Sequence, residues 1–142
     1  IFPKSVAVIC MKGVLCEQMG NKEGAIQEFN LAVQYNPDSK EACYHRGRLF
    51  AALGLYPKAL IDLTKVITKY PDDFQVYLER ASVYTNINMK DKAIEDYSKV
   101  IILDPRNFSA YFGRGKLKRS LEDLNLAISL NANSAAAFIV RA

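Results

Sequence analysis

The chain has no tryptophan, one histidine and three cysteines among its 142 residues. No cysteine or carboxylate cluster accompanies the histidine, His45, at metal-ligand spacing. The sequence therefore predicts no metal site and offers few groups for acid–base catalysis. Neither a nucleophile elbow nor a phosphate-binding glycine loop is present. We therefore expect no cofactor and no enzymatic activity.

Long apolar runs and blocks of like charge are also missing. The longest apolar stretches, such as residues 100–103, are far shorter than the roughly 20 residues of a membrane-spanning helix. Basic and acidic residues alternate, and the net charge of +4 is small. The sequence therefore predicts neither a membrane nor a nucleic-acid partner, and an RNA-binding array would need a continuous basic stripe that it lacks.

The three cysteines are Cys10, Cys16 and Cys43. Their odd number and the absence of C-x-x-C spacing favour reduced, buried thiols over a disulfide, metal or redox site. Reduced thiols are typical of the cytosol, so a cytoplasmic location is predicted.

The chain does contain a strict internal period. Three prolines mark it at intervals of thirty-four residues: Pro37, Pro71 and Pro105. Each follows an alanine by twelve residues. Between prolines, two amphipathic helical patterns are separated by a turn residue, as Gly54 separates 40–53 from 56–69. A period of this length indicates stacked helix pairs that bury their apolar faces against one another.

Small residues recur where the two helices of a pair must approach closely, and large residues lie between them. The small ones are Gly13, Gly47, Ala81 and Gly115 on first helices, with Ala25, Ala59 and Ala93 on second helices. Large residues on the second helices include Phe29, Leu63 and Tyr97. This combination resembles the tetratricopeptide repeat, and the resemblance implies an all-α superhelix, or solenoid, of antiparallel helix pairs. Where the family often has tryptophan, this chain has Ile9, Cys43, Tyr77 and Tyr111.

The predicted repeats cover 6–39, 40–73, 74–107 and 108–134, followed by the first helix of a fifth repeat at 135–142. In the fourth repeat, Leu124 and Ala132 arrive seven residues early. A deletion that large should disrupt the stacking of the pair, so we expect residues to be missing near 116–120. Consecutive α-carbons there should then lie much farther apart than the roughly 3.8 Å of one trans peptide. The pattern is broken off at the C-terminal end, which indicates a piece of a longer protein and predicts self-association through the uncapped fifth helix.

An acidic residue on each second helix precedes an arginine on the next first helix by eighteen residues. The four pairs are Glu28 with Arg46, Asp62 with Arg80, Asp96 with Arg114, and Asp123 with Arg141. We expect these to be inter-repeat ion pairs that fix the stacking of neighbouring units, because the guanidinium group binds a carboxylate with two hydrogen bonds.

The first helices of a superhelix line its concave groove, and helical phase selects the residues that face it. The predicted groove residues are Tyr44, His45, Arg48, Leu78, Glu79, Ser82, Phe112 and Lys116. Tyr44 and Phe112 are expected to be exposed apolar anchors for a peptide or helix of a partner protein with some acidic character. The alternative is that the apolar row of first-helix positions, Cys10, Tyr44, Leu78, Phe112 and Ile139, packs against neighbouring first helices.

Some tetratricopeptide domains clamp the acidic tail of heat-shock chaperones with lysines, asparagines and an arginine. The matching places here hold Cys10, Val14, His45, Gln75 and Glu79, which make no clamp. The resemblance therefore implies a protein-interaction scaffold without a carboxylate clamp. The alternative is a targeting or regulatory repeat domain of a larger enzyme, since related arrays are often fused to enzymes.

Overall fold

A computed structural model describes residues 5–131, and this part of the chain consists of helices joined by turns, with no strand. The helices are α1 (Val6–Gln18), α2 (Lys22–Tyr35), α3 (Lys40–Ala52), α4 (Tyr56–Lys69), α5 (Phe74–Asn86), α6 (Lys90–Leu103), α7 (Phe108–Lys118) and α8 (Leu121–Leu130). The predicted all-α class is confirmed. The predicted fifth-repeat helix at 135–142, including Arg141, lies outside the described residues.

The chain divides into two compact units, residues 1–69 and 70–142. In the first unit α1 packs on α2, α3 packs on α4, and both α1 and α2 contact α3. In the second unit α5 packs on α6, α7 packs on α8, and α6 contacts α7. Each unit is thus built from helix pairs in which a second pair stacks on the first.

The turn inside each helix pair needs a left-handed residue, as the sequence indicates. Gly20, Gly54 and Asn88 have φ angles of 79°, 77° and 62°. This conformation is accessible to glycine and tolerated by asparagine. It ends the first helix and reverses the chain, so the second helix packs back along it.

Polar residues cap the helices that follow the prolines. The side chains of Ser39, Asp73 and Asn107 accept hydrogen bonds from backbone amides of α3, α5 and α7. These bonds satisfy amides that have no partner inside the helix.

The loop prolines are held by the residues that stand where the family often has tryptophan. The hydroxyls of Tyr77 and Tyr111 donate to the carbonyls of Pro71 and Pro105, at 3.0 and 2.9 Å. In the first unit the thiol of Cys43 lies 3.5 Å from the carbonyl of Pro37. Each contact fixes the proline loop against the helix that follows it.

The core of each pair forms where a small residue meets a large one. A Cβ atom on Gly13 would lie 2.5 Å from the Phe29 ring, and one on Gly47 would lie 3.1 Å from Leu63. Phe29 and Leu63 are completely buried. Apolar burial of this kind, at about 25 cal/mol per Å², is the main stabilising contribution in these helix pairs.

The expected gap near 116–120 is wrong, because the backbone is continuous there. Helix α7 ends in the left-handed residue Arg119, and the amide of Ser120 bonds to the carbonyl of Gly115 at 2.9 Å. Helix α7 has 11 residues where α5 has 13, and α8 has 10 where α6 has 14. The shortening removes only the tip of the hairpin, so the remaining length of the pair packs normally.

Candidate functional site

A cleft on the first-helix side of the second unit contains three of the predicted groove residues. It has a volume of about 330 Å³. Its lining is formed mainly by Ser82, Thr85 and Asn86 of α5, Tyr97 of α6, and Ser109, Phe112, Gly113, Lys116 and Leu117 of α7. The walls thus combine an aromatic ring with hydroxyl, amide and ammonium groups.

Tyr97 forms the floor of this cleft because position 113 has no side chain. A Cβ atom on Gly113 would lie only 2.4 Å from the Tyr97 ring. The Tyr97 hydroxyl hydrogen-bonds Thr85, and burial raises the pKa of the phenol. The cleft therefore exists because a tyrosine on α6 reaches between α5 and a glycine on α7.

The matching positions of the first unit are filled differently. Phe29 and His45 stand two periods before Tyr97 and Gly113. Their rings stack, with centroids 5.6 Å apart. A phenylalanine and an imidazole thus occupy the space that a longer tyrosine and a glycine occupy in the second unit.

Phe112 stands at the edge of the cleft between an aromatic ring and a cation. Its ring stacks on Phe108 at 5.5 Å, and the Nζ atom of Lys116 is 5.2 Å from the ring centroid. The side chain of Phe112 is partly exposed, and Lys116 is exposed. A ligand could therefore contact an apolar surface and a positive charge at one place.

Tyr44, His45 and Arg48 form a second group of predicted groove residues on α3. Tyr44 meets His45 edge to face at 5.6 Å, and the Arg48 guanidinium lies 5.6 Å from the Tyr44 ring. Burial, together with the positive charge of Arg48, lowers the pKa of His45. The imidazole is therefore held in its neutral form over a wider pH range.

Leu78 and Glu79 of α5 are partly buried and do not line the cleft described above. Cys10, which the helical phase places in the same row as Tyr44 and Phe112, is buried in the core of the first unit. The apolar row therefore differs in exposure from one helix to the next, and its role in binding stays a prediction.

The structure gives three buried carboxylates an arginine partner other than the predicted inter-repeat one, and Arg141 of the fourth predicted pair lies outside the described residues. Each buried carboxylate accepts two hydrogen bonds of 2.8 Å from the arginine of its own helix pair. The observed pairs are Arg46 with Asp62, Arg80 with Asp96, and Arg114 with Asp123. Their hydrogen bonds raise the pKa of all three guanidinium groups.

Arg46 and Arg114 also reach the preceding helix pair, through neutral residues that sequence reasoning missed. Arg46 donates to the Asn30 side-chain carbonyl oxygen at 3.2 Å, and Arg114 donates to the Ser98 hydroxyl at 3.1 Å. Asn30 and Ser98 lie two repeat periods apart, so a comparison of equivalent repeat positions would have identified them. Glu28, the residue expected to pair with Arg46, lies partly buried on the same helix as Asn30.

Residues 5–131 contain no group of three or more histidine, cysteine, aspartate or glutamate side chains that could hold a metal ion. Within the same range, every helix is too short or too polar to cross a membrane.

Comparison with known proteins assigns the family. Tetratricopeptide-repeat models match residues 11–74 and 74–107, and the chain therefore belongs to the tetratricopeptide-repeat family. No curated protein matches the sequence.

Solved structures share the fold at low sequence identity. The MamA protein is 20% identical, with a TM-score of 0.87 over 96% of this chain and 78% of its own. A thermophilic tetratricopeptide-repeat protein of Thermus thermophilus is 18% identical, with a TM-score of 0.78 over 96% and 79%. The first repeat domain of Spaghetti, bound to the HSP90 peptide SRMEEVD, is 20% identical, with a TM-score of 0.77 over 82% and 93%.

Proposed function

We propose that this chain is a protein-interaction scaffold that binds a peptide or helix of a partner on the face formed by its first helices. The observation that carries the proposal is the cleft between α5 and α7, whose wall contains the partly exposed Phe112. A cleft of about 330 Å³ falls at the lower end of the size range for ligand pockets. It suits one or two side chains of a peptide rather than a whole folded domain.

The lining suggests the chemistry of the ligand. Phe112 offers an apolar contact, and Ser82 and Ser109 offer hydroxyls that pair with peptide amides and carbonyls. Lys116 adds a positive charge beside the Phe112 ring. A segment with an apolar anchor followed by an acidic side chain matches these groups.

A chaperone-tail clamp is not part of this proposal. Among the places that a clamp would use, Cys10 is buried, and Glu79 carries the same charge as a carboxylate ligand. The Spaghetti domain is solved with an HSP90 peptide, but its likeness to this chain is one of fold. We expect calorimetry with the peptide SRMEEVD to give no micromolar binding, and a micromolar Kd would contradict this.

Partner capture with variants tests the scaffold proposal. We expect the double variant Tyr44→Ala, Phe112→Ala to lose most of the proteins that the wild-type chain retains from a cell extract. The control is Ile102→Ala, since Ile102 is an exposed apolar residue of α6 outside the cleft. Equal partner sets for wild-type and double variant would remove the first-helix face as the binding surface.

A further inference from the structure

A larger cleft lies in the first unit, on the side of the second helices. It has a volume of about 660 Å³ and runs between α2 and α4. Its lining consists of Lys22, Glu23, Ile26, Gln27 and Asn30 of α2, Arg46 and Phe50 of α3, Leu53 and Leu55 of the following turn, and Lys58, Ile61 and Asp62 of α4. None of the predicted groove residues lines it.

Ile61 gives this cleft an apolar side chain that the helix pair does not need for its own core. It is 68% exposed. The corresponding residues of the other second helices are Gln27, Glu95 and Glu122, all polar and exposed. An isoleucine in a place otherwise taken by polar residues adds little to folding and leaves its surface available for contact.

Further apolar groups converge on the same place. Leu53 and Leu55 are 39% and 41% exposed at the α3–α4 turn, and Ile26 is partly buried on the facing helix. Phe50 lies beneath them and is nearly buried. The cleft is therefore apolar at its base and at the α4 wall, and it is wide enough to accept several side chains.

The charges of the cleft favour an acidic ligand. Arg46 and Asp62 neutralise one another through two hydrogen bonds of 2.8 Å. Of the remaining charged groups, Lys22 and Lys58 are positive and Glu23 is negative. The Nζ atom of Lys58 lies 5.6 Å from the Phe50 ring centroid, so its charge stands over the apolar base.

We propose that the cleft between α2 and α4 is a second binding site, which takes an amphipathic segment of a partner protein. An apolar side chain of that segment packs between Ile61 and Ile26, and an acidic side chain pairs with Lys58. Main-chain groups of the segment meet Gln27 and Asn30 at the α2 wall. The site is lined mainly by second helices and the turn before α4, so it can be occupied independently of the first-helix face.

Selection from a displayed library of random dodecapeptides, with the whole chain as bait, provides the test. We expect one class of enriched peptides to combine aliphatic or aromatic residues with aspartate or glutamate. A synthetic peptide of that class should bind Ile61→Gln at least tenfold more weakly in fluorescence polarisation. Lys58→Gln should weaken binding severalfold and reduce its dependence on salt.

Two controls make the outcome specific. Ile102→Gln should leave the Kd unchanged, because Ile102 is 71% exposed on α6 and outside the cleft. Phe112→Ala should also leave it unchanged, which separates this site from the first-helix face. An unchanged melting temperature of Ile61→Gln confirms that the fold is intact.

The proposal is overturned if no selected peptide binds. It is also overturned if every selected peptide responds to Phe112→Ala and none to Ile61→Gln. The latter result would leave the proposed scaffold function in place, and a peptide that responds to Ile61→Gln but not to Phe112→Ala would support the second site.

Discussion

Arg114 donates two hydrogen bonds of 2.8 Å to Asp123, nine residues further along, whereas Arg46 makes the same two bonds to Asp62 across sixteen residues. The seven residues that the fourth helix pair lacks therefore fall between the two members of its ion pair. Because the geometry is unchanged, the pair ties the two helices together at a point that the shortened turn does not affect.

Removing one of the buried carboxylates should destabilise its unit. In the variant Asp96→Ala, the guanidinium of Arg80 loses its two-pronged partner while it stays largely buried. Breaking a buried pair in this way is strongly unfavourable, and partial exposure of the arginine moderates the effect to about 2 to 3 kcal/mol. Urea denaturation followed by circular dichroism measures the difference.

The neighbouring residue provides the matched control. Glu95 is exposed on the same helix, and Glu95→Ala should change the free energy of unfolding by less than about 0.5 kcal/mol. Equal effects of the two substitutions would show that the Arg80–Asp96 pair contributes no more than a surface charge.

The variant Gly113→Ala should be destabilised although alanine is the better helix former. Its Cβ atom would lie 2.4 Å from the Tyr97 ring, so the ring must move away from position 113. Overpacking of this kind costs about 1 to 3 kcal/mol, and it outweighs the roughly 1 kcal/mol that alanine gains over glycine in a helix. Thermal denaturation measures the net loss.

A second substitution should rescue this variant. Leucine occupies the place of Tyr97 in the preceding helix pair, as Leu63. We expect Gly113→Ala to cost clearly less in a Tyr97→Leu background, so that a double-mutant cycle gives a favourable coupling energy. Simple additivity would show that the two residues do not compete for space.

The stability of the first unit should depend on pH through His45. Burial lowers the pKa of His45, so the unfolded chain binds this proton more readily than the folded chain. The contribution to stability is complete above the unfolded value of about 6.5, and it is lost as the pH falls through the folded value. Denaturation curves at pH 7.5 and 5.5 should show a lower free energy of unfolding at the lower pH.

The variant His45→Phe isolates this effect. In the wild type the His45 ring stacks on Phe29 with centroids 5.6 Å apart. The variant keeps an aromatic ring in this place and removes the titrating group. Its free energy of unfolding should change less between the two pH values than that of the wild type. The same pH dependence in both proteins would assign the effect to other groups.

The three thiols should differ in their reactivity toward a disulfide reagent such as DTNB. Cys10 and Cys43 are buried, and burial raises the pKa of both thiols, which lowers the reactive thiolate fraction at neutral pH. Cys16 is only partly buried and should react first. We expect one fast thiol in the native protein and three in guanidinium chloride, and three fast thiols at once would contradict this.

The repeat period is sufficient to predict the helices, their turns and their small-to-large contacts. Gly20, Gly54 and Asn88 turn the chain where the pattern indicates, and Gly47 lies against Leu63 as expected. These features are local or repeat within one helix pair. Periodicity therefore captures them without any knowledge of how far apart the residues lie in space.

The same period cannot decide the ion pairs. A carboxylate eighteen residues before one arginine is also sixteen residues after the previous one, so both pairings recur along the chain. The deciding signal is the small residue after each arginine, which is Gly47, Ala81 or Gly115: a Cβ atom on Gly47 would lie 3.2 Å from that of Asp62. That close approach places Arg46 beside Asp62 within one pair of helices.

The cleft residues are harder to predict because exposure depends on the neighbouring helices. Tyr97 has the spacing of a core residue and is nearly buried, yet it forms the floor of a cleft since Gly113 leaves room above it. Helical phase alone does not identify Ile61. The sequence signal is that Ile61 is apolar, whereas the equivalent positions of the other described second helices are polar. A comparison of equivalent positions, rather than of helical phase, finds both.

The short turn at Arg119 and Ser120 marks where this chain can change length without changing its packing. Helices α7 and α8 keep their ion pair and their contact between Gly115 and Leu124 despite the missing residues. An inserted segment at this tip, such as an epitope or a fluorophore-binding tag, would extend into solvent at the end of the hairpin. The α7–α8 tip is therefore a suitable attachment point for a label, because the Arg114–Asp123 pair holds the two helices together next to it.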